Sequence, residues 1–370
     1  MKKTFIKAHK PDYQLAIIVF ILIVAGLILI SSASVVISYT LFGTSTYYLK
    51  RQIVALLLGL ILWFVFQNID YHFFKKIAFL GLLLNIALLI AVFIPGIGSS
   101  YGGASRWLNL RLFSIQPAEL CKLSFIIYLA LWLEKRGEGI KSFSYGFIPF
   151  VLICVFISLL IIAQPDMGTM FVILITGCAM FFTAGAPLQY IFLLISSGFL
   201  FLWGLIKIAP YRLARLTVWL NPKFDASGIG YHINQALIAI GSGGLLGLGF
   251  GLSRQKYNYL PEVVGDSIFA VIAEELGFIR SSILIILFIL LAIKGFRIAQ
   301  KAPDSFGRLM ATGITSWLTF QAIINIGAML SLLPLTGIPL PFISYGGTAL
   351  IVSLGAIGIL MNISKQTLKD

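Results

Sequence analysis

The sequence predicts an all-α polytopic membrane protein of about ten transmembrane helices, with both termini inside and a long structured outer loop between the seventh and eighth spans. Three observations carry that prediction. Apolar and aromatic types make up 59% of the 370 residues and charged types only 11%, against about 25% charged in an ordinary soluble domain. Mean hydropathy is +1.00, and apolar runs of about 20 residues, the length that crosses a bilayer, recur along the chain. Lys and Arg are also unevenly shared between alternate connecting segments, as a membrane chain requires. A soluble enzyme of this size could not cover its surface with so little charge, and a disordered chain or small disulfide scaffold is excluded with it. Residues 1–370 read as one integral membrane domain.

The spans follow in order. Residues 13–33 form the first; Lys2, Lys3, Lys7 and Lys10 precede it in the manner of a signal peptide, but the run from Tyr13 is too long for one and further spans follow. The next are 49–67, 77–95, 117–133, 146–163, 168–185 and 188–208. After the long segment come 267–293, 309–332 and 342–362. An N-inside start puts fifteen of the 27 Lys and Arg on inner segments. Four fall on short outer loops (Lys50, Arg51, Arg106, Arg111) and six in the long segment. That bias sets both termini inside. The net charge of +14 therefore reflects orientation and anionic lipid; no basic cluster with interleaved aromatics points to nucleic acid. Cys121, Cys154 and Cys178 sit in apolar runs without CxxC spacing and read as small buried hydrophobes. His9, His72 and His232 are scattered, with no HExxH or Cys/His spacing for a metal centre, and no serine occupies a GxSxG elbow.

Five stretches carry chemistry. Residues 209–266 are too long for an idle loop in a compact protein. Trp219, Tyr231, Tyr257 and Tyr259 make this segment one that packs on the membrane domain, and Gln235 to Leu252 reads as an interfacial or re-entrant helix. Its run Gly241–Gly251 matches neither GxGxxG nor a P-loop. Gly243, Gly247 and Gly251 recur every four residues, which suits a close packing face or backbone amides turned toward an anion. Next, Pro261 and Gly265 mark a turn that leaves Asp266 or Ser267 at the start of the eighth span. An Asp there is commonly only a cap. Glu274 and Glu275 lie about two turns deeper in an apolar helix, where carboxylates are costly and mark functional sites; one outer-leaflet substrate pocket would account for all three. Glu119 and Lys122, after Arg106-Trp-Leu-Asn-Leu-Arg111, are i,i+3. They either form a buried ion pair or offer a cation to a diphosphate. Gln164-Pro-Asp-Met-Gly168 reads as a turn. Thr336–Gly347, with two prolines and three glycines at membrane depth, implies non-helical backbone lining a cavity or packed on protein.

Taken in order, these stretches resemble the SEDS family (shape, elongation, division and sporulation; FtsW/RodA type). The resemblance rests on Gly26–Ser34, Arg106-Trp107 with Gln116–Lys122, Gln164–Thr169, Ala239–Gly244, Gln255–Glu262 leading into Phe269–Gly277, and Thr336–Gly347. Gln-Lys-x-x-Tyr-Leu-Pro-Glu is nearer the FtsW branch. The resemblance implies a peptidoglycan glycan-strand polymerase of cell division in the bacterial cytoplasmic membrane, with its active site on the outer face. It would join lipid II by inverting glycosyl transfer, releasing undecaprenyl diphosphate. Its partners would be a class B penicillin-binding protein, other division proteins and membrane lipids. The family's aspartate, in PExHTDFIF, matches Asp266 as catalytic residue; here the element reads Pro261-Glu-Val-Val-Gly-Asp-Ser-Ile-Phe269, with Val264-Gly265 in place of His-Thr and Ser267 in place of Phe. Arg106, Lys122, Arg212, Arg215 and Lys256 are the candidate diphosphate partners. Glu119, Glu262, Glu275 and Ser344 complete the candidate substrate-binding set. No cofactor is demanded, and a divalent cation is left open. The rival classes are a lipid II flippase and a non-catalytic division scaffold. The lack of an evident inverted repeat and the place of Asp266 at one membrane face favour the enzyme.

Overall fold

The computed structural model describes residues 9–101, 104–109, 114–208, 210–221, 225 and 228–368. The helices are α1 (Tyr13–Ala33), α2 (Val35–Phe42), α3 (Tyr47–Asn68), α4 (Phe73–Ala91), α5 (Pro117–Arg136), α6 (Ile148–Ile162) and α7 (Met167–Thr183). They continue with α8 (Leu188–Ile208), α9 (Pro210–Leu220), α10 (Tyr231–Gly243), α11 (Ile268–Lys301), α12 (Ser305–Met329) and α13 (Gly347–Ser364). Each of the ten apolar runs falls on one helix, with α2, α9 and α10 between them. Among the described residues, seven helices are long and apolar enough to cross a membrane: α1, α3, α4, α6 with the turn before it, α11, α12 and α13. Glu119, Lys122 and Glu134 charge α5, and α7 has 17 residues, so neither meets that standard. Carboxylates cap three starts by accepting backbone N–H bonds: Asp12 on α1, Asp166 on α7 and Asp304 on α12.

The chain is not all-α, which corrects the expectation. Between α4 and α5, β1 (Gly98–Tyr101), β2 (Ala104–Asn109) and β3 (Ser114–Ile115) form an antiparallel sheet in that order, pairing Ser99 with Trp107 and Leu108 with Ile115. The sequence signal was a Gly-Gly pair between two short runs, a pattern that favours a hairpin. Helix boundaries also move, most of all at α10, α11 and α13; the span expected over 267–293 runs on to Lys301. The helix expected over Gln235–Leu252 starts at Tyr231 and stops at Gly243, before Gly244 at φ 52°. The last helix starts at Gly347 rather than 342, after a non-helical run through Phe342 at φ 63°.

A break in the neighbouring helix accounts for the glycines after Gly243. Helix α11 breaks at Gly277 (φ 75°, ψ −179°), so Phe278 and Ile279 no longer bond to the carbonyls four residues back. The N–H groups of Leu248 and Gly249 donate to the freed carbonyls of Glu274 and Glu275, each at 3.0 Å. In return the N–H groups of Phe278 and Ile279 donate to the carbonyls of Gly244 and Leu245 at 2.9 and 3.2 Å. Residues 244–249 thus plug the break and satisfy the freed groups, as hydrocarbon surroundings demand. A Cβ on Gly247 would lie 2.2 Å from the Glu275 carbonyl oxygen, and one on Gly277 2.2 Å from the Gly247 nitrogen. The run is a close-packing device, and the amides of 248 and 249 are used within the protein.

The core is α12 and α13, buried on nearly every side, with α3 packed along α13. Phe64, Phe79 and Ile283 on surrounding helices face outward, as a lipid-solvated surface would. The two chain ends meet at one end of the bundle: the His9 N–H donates to the Lys365 carbonyl at 2.8 Å and the Asp12 N–H to Ser364 Oγ at 3.1 Å. The small sheet, the plugged break and Asp266 lie at the other end.

Candidate active site

The turn before α11 is held through its backbone. Asn325 Nδ2 donates to the Asp266 and Ile338 carbonyls, each at 2.8 Å. Ser344 Oγ donates to the Gly265 carbonyl at 2.7 Å, and the Tyr345 N–H to that of Val264 at 2.8 Å. One turn back on α12, Gln321 donates to the Pro339 carbonyl at 2.8 Å. These bonds zip the Asp266 turn to the non-helical run before α13, where Gly337 (φ 73°) would bring a Cβ to 3.8 Å from Asp266 Oδ2. Ser344, expected on the substrate, is therefore placed behind the aspartate and holds its turn. Asn325 and Gln321 escaped the sequence reading; their signal is a pair of amides one turn apart in an apolar helix.

Asp266 is not the cap of α11. Ser267 occupies that position, and Asp266 Oδ1 is buried with no hydrogen-bond partner among the described residues. Burial pushes its carboxyl up to about 6, against the opposing pull of backbone N–H groups and the Arg215 guanidinium. The Glu262 carboxyl is raised too, by loss of water on its packed side and then by Asp266. His232 on α10 stands beside them, with Nε2 2.6 Å from Ser267 Oγ. Burial lowers the pKa of this ring, Glu262 raises it and Arg215 lowers it further. Arg215 on α9 is exposed and also donates to the Leu335 carbonyl at 3.2 Å. Asp266, Glu262, Arg215 and His232 thus form one cluster at the end of the bundle away from the termini. The sequence reading missed His232, because its partner is 35 positions away.

The other expected residues lie elsewhere. Lys122 is fully buried: it donates to Glu119 at 2.7 Å and Gln321 at 2.8 Å, and sits over the Trp317 ring. Lys256, also buried, donates to Glu275 at 2.9 Å, Ser32 Oγ at 3.1 Å and the Gly251 carbonyl at 2.7 Å. Glu275 further accepts from Ser32 Oγ, and Glu274 from Ser253 Oγ and the Arg254 N–H. These two carboxylates do not join Asp266 in one pocket; they anchor residues 253–256 to α11. Arg106 clasps the Gln164 and Pro165 carbonyls at 3.0 and 2.5 Å, tying β2 to the turn before α7. The Arg212 side chain lies outside the described residues.

A family model described as a cell cycle protein (FtsW, RodA, SpoVE) matches residues 13–369. The chain belongs to this FtsW/RodA/SpoVE family. Stage V sporulation protein E of Bacillus subtilis is 42% identical to it, over 98% of this chain and 99% of that protein. A protein of Geobacter sp. named probable peptidoglycan glycosyltransferase FtsW is 41% identical over 96% and 97%. Among solved structures, the rod shape determining protein RodA of Thermus thermophilus superposes with a TM-score of 0.71 at 28% identity, covering 97% of this chain and 98% of that one. A chain of a peptidoglycan synthase complex, described as coordinating polymerization and crosslinking, superposes at 0.79 with 25% identity, covering 97% and 99%. This FtsW/RodA/SpoVE member is a multi-pass membrane protein with a RodA-like fold.

Proposed function

We infer that this FtsW/RodA/SpoVE member is a peptidoglycan glycosyltransferase that polymerises lipid II, with Asp266 as its general base. The observation that carries this is a carboxylate with one buried and unpartnered oxygen at the end of a membrane bundle, where burial pushes the carboxyl up to about 6. A base of that pKa is ionised at neutral pH yet basic enough to take a proton as a bond forms. The acceptor sugar's 4-hydroxyl gives its proton to Asp266 while its oxygen attacks C1 of the donor. The C1–O bond to diphosphate breaks on the opposite face, so an α-linked donor yields a β-1,4 bond in one inverting step. Arg215 is the cation at hand for the departing undecaprenyl diphosphate, and Arg212 is the second candidate on the same helix. Lys122, Lys256 and Arg106, engaged within the protein, are supports of the scaffold in this reading. Asp266 and Glu262 also suit a divalent cation, which would neutralise charge on a diphosphate.

The aspartate end faces outward and both termini face the cytoplasm, as the Lys and Arg distribution favours, in the bacterial cytoplasmic membrane. The partner is a class B penicillin-binding protein of the division machinery. An apolar groove between α11 and α12, lined by Phe288, Ile289, Ile323 and Ile326, suits a single transmembrane helix of such a partner. The test is purified chain in liposomes with labelled lipid II, with and without the partner and magnesium. Glycan polymer that Asp266→Ala abolishes is the expected result. Polymer retained by that variant sinks the base assignment, and lipid translocation without polymer sinks the polymerase.

A further inference from the structure

Three successive residues of the aspartate turn are each gripped by a side chain from a different element. Ser344 holds the Gly265 carbonyl and Asn325 the Asp266 carbonyl. His232 holds the side chain of Ser267, at 2.6 Å. The first two lie on the membrane core; His232 alone comes from α10, a helix of the long connecting segment. Ser267 is fully buried and caps α11, yet its hydroxyl makes no cap bond. A serine in that position ordinarily accepts from the first-turn N–H groups; here the hydroxyl is turned to the histidine instead. The backbone of Ser267 is meanwhile tied to the turn, its N–H donating to the Glu262 carbonyl at 3.3 Å.

We propose that His232 is a positioning residue for Asp266: through Ser267 it clamps α10 onto the aspartate turn and keeps water from the carboxyl. Its effect on rate rests on the polymerase reading, but the clamp stands without it. Among the described residues, the charged groups that act on the ring are Glu262, on the turn itself, and Arg215 on α9. With burial and Arg215 acting against Glu262, the ring is neutral at pH 7. A neutral imidazole offers one donor and one acceptor nitrogen; a glutamine amide can make the same single bond to Ser267, and alanine cannot.

The experiment compares full-length wild type, His232→Ala, His232→Gln and Ser267→Ala, each shown monodisperse in detergent. The first readout is carbodiimide labelling of Asp266 against pH, followed by mass spectrometry, which needs no turnover. The wild type should label with a midpoint near 6. His232→Ala and Ser267→Ala should move the midpoint toward the ordinary aspartate value of about 3.9 as water enters, and His232→Gln should restore it. The second readout is polymer formation. The two alanine variants should lose on the order of tenfold or more in kcat through misplacement of the base, with KM changed less than about twofold. An unchanged midpoint in His232→Ala overturns the proposal, as does a glutamine variant that fails as alanine does. A wild-type chain that labels as expected but makes no polymer overturns the polymerase reading alone.

Discussion

At the scale of the residue, the same chemistry makes Asp266 a base and sets the pH at which it works. Its carboxyl is raised from 3.8 to about 6, chiefly by burial, so the proton-accepting form is lost as pH falls through 6, where an exposed aspartate would still be ionised. Polymerisation kcat/KM should therefore rise with pH, gaining about tenfold per pH unit below 6 and levelling above it. A rate that stays flat from pH 7 down to 4.5 would contradict this base. Asp266 itself was singled out in the sequence through the resemblance of Pro261–Phe269 to PExHTDFIF, since by position alone an Asp before an apolar run reads as a cap. Its supports were not. Asn325 and His232 reach it from 59 and 35 positions away, and spacing along a chain carries no trace of such meetings. Lys122 and Lys256 show the converse. Lys122, which its spacing offered either to Glu119 or to a diphosphate, and Lys256, which the resemblance offered to a diphosphate, are each given a protein carboxylate by the structure.

At the scale of the element, hydropathy placed each of the ten apolar runs on a helix, since the length of apolar chain that crosses a bilayer is a physical constant of the bilayer, though α11 runs eight residues past the expected end. It was blind to what happens inside α11, where the break and its plug trade four backbone bonds. Hydropathy sees side chains, and this device is made of main chain. It nevertheless makes two glycines with similar sequence surroundings behave oppositely. Gly247→Ala must fit a Cβ 2.2 Å from a carbonyl oxygen at φ 85°, combining overlap with a backbone penalty. It should cost more than about 3 kcal/mol and lower the thermal midpoint or the yield of folded protein sharply. Gly241→Ala meets nothing within 4 Å on a helix, where alanine is the better former. It should hold or raise the midpoint. Equal loss in both variants would mean that the plug is not what the glycines serve.

At the scale of the whole molecule, a buried ion pair is one of the ties that fasten the long segment to the bundle. Lys256 bonds to Glu275 on α11 and to Ser32 on α1, so three distant parts of the chain meet in one network. Removing one partner leaves a buried charge alone, which typically costs about 3–5 kcal/mol, whereas replacing both with apolar residues costs much less. Lys256→Met and Glu275→Leu should each lower the thermal midpoint strongly and the double variant should recover much of it. A double variant as unstable as the sum of the singles would sink this account of the pair. The network also fixes which end of the bundle the segment covers. The chain ends meet at one end and Asp266 lies at the other, which an even number of crossings requires. The orientation proposed from charge counting has the termini inside. Single cysteines at exposed positions test both at once, because Cys121 and Cys154 are buried and can be replaced by serine or alanine together with Cys178. In intact cells an impermeant maleimide should label Tyr257→Cys and Tyr259→Cys, at the aspartate end. It should label Glu138→Cys and Lys141→Cys only after permeabilisation. The reverse pattern would turn the molecule over and put Asp266 on the cytoplasmic side, and labelling of all four in intact cells would break the link between bundle ends and membrane faces.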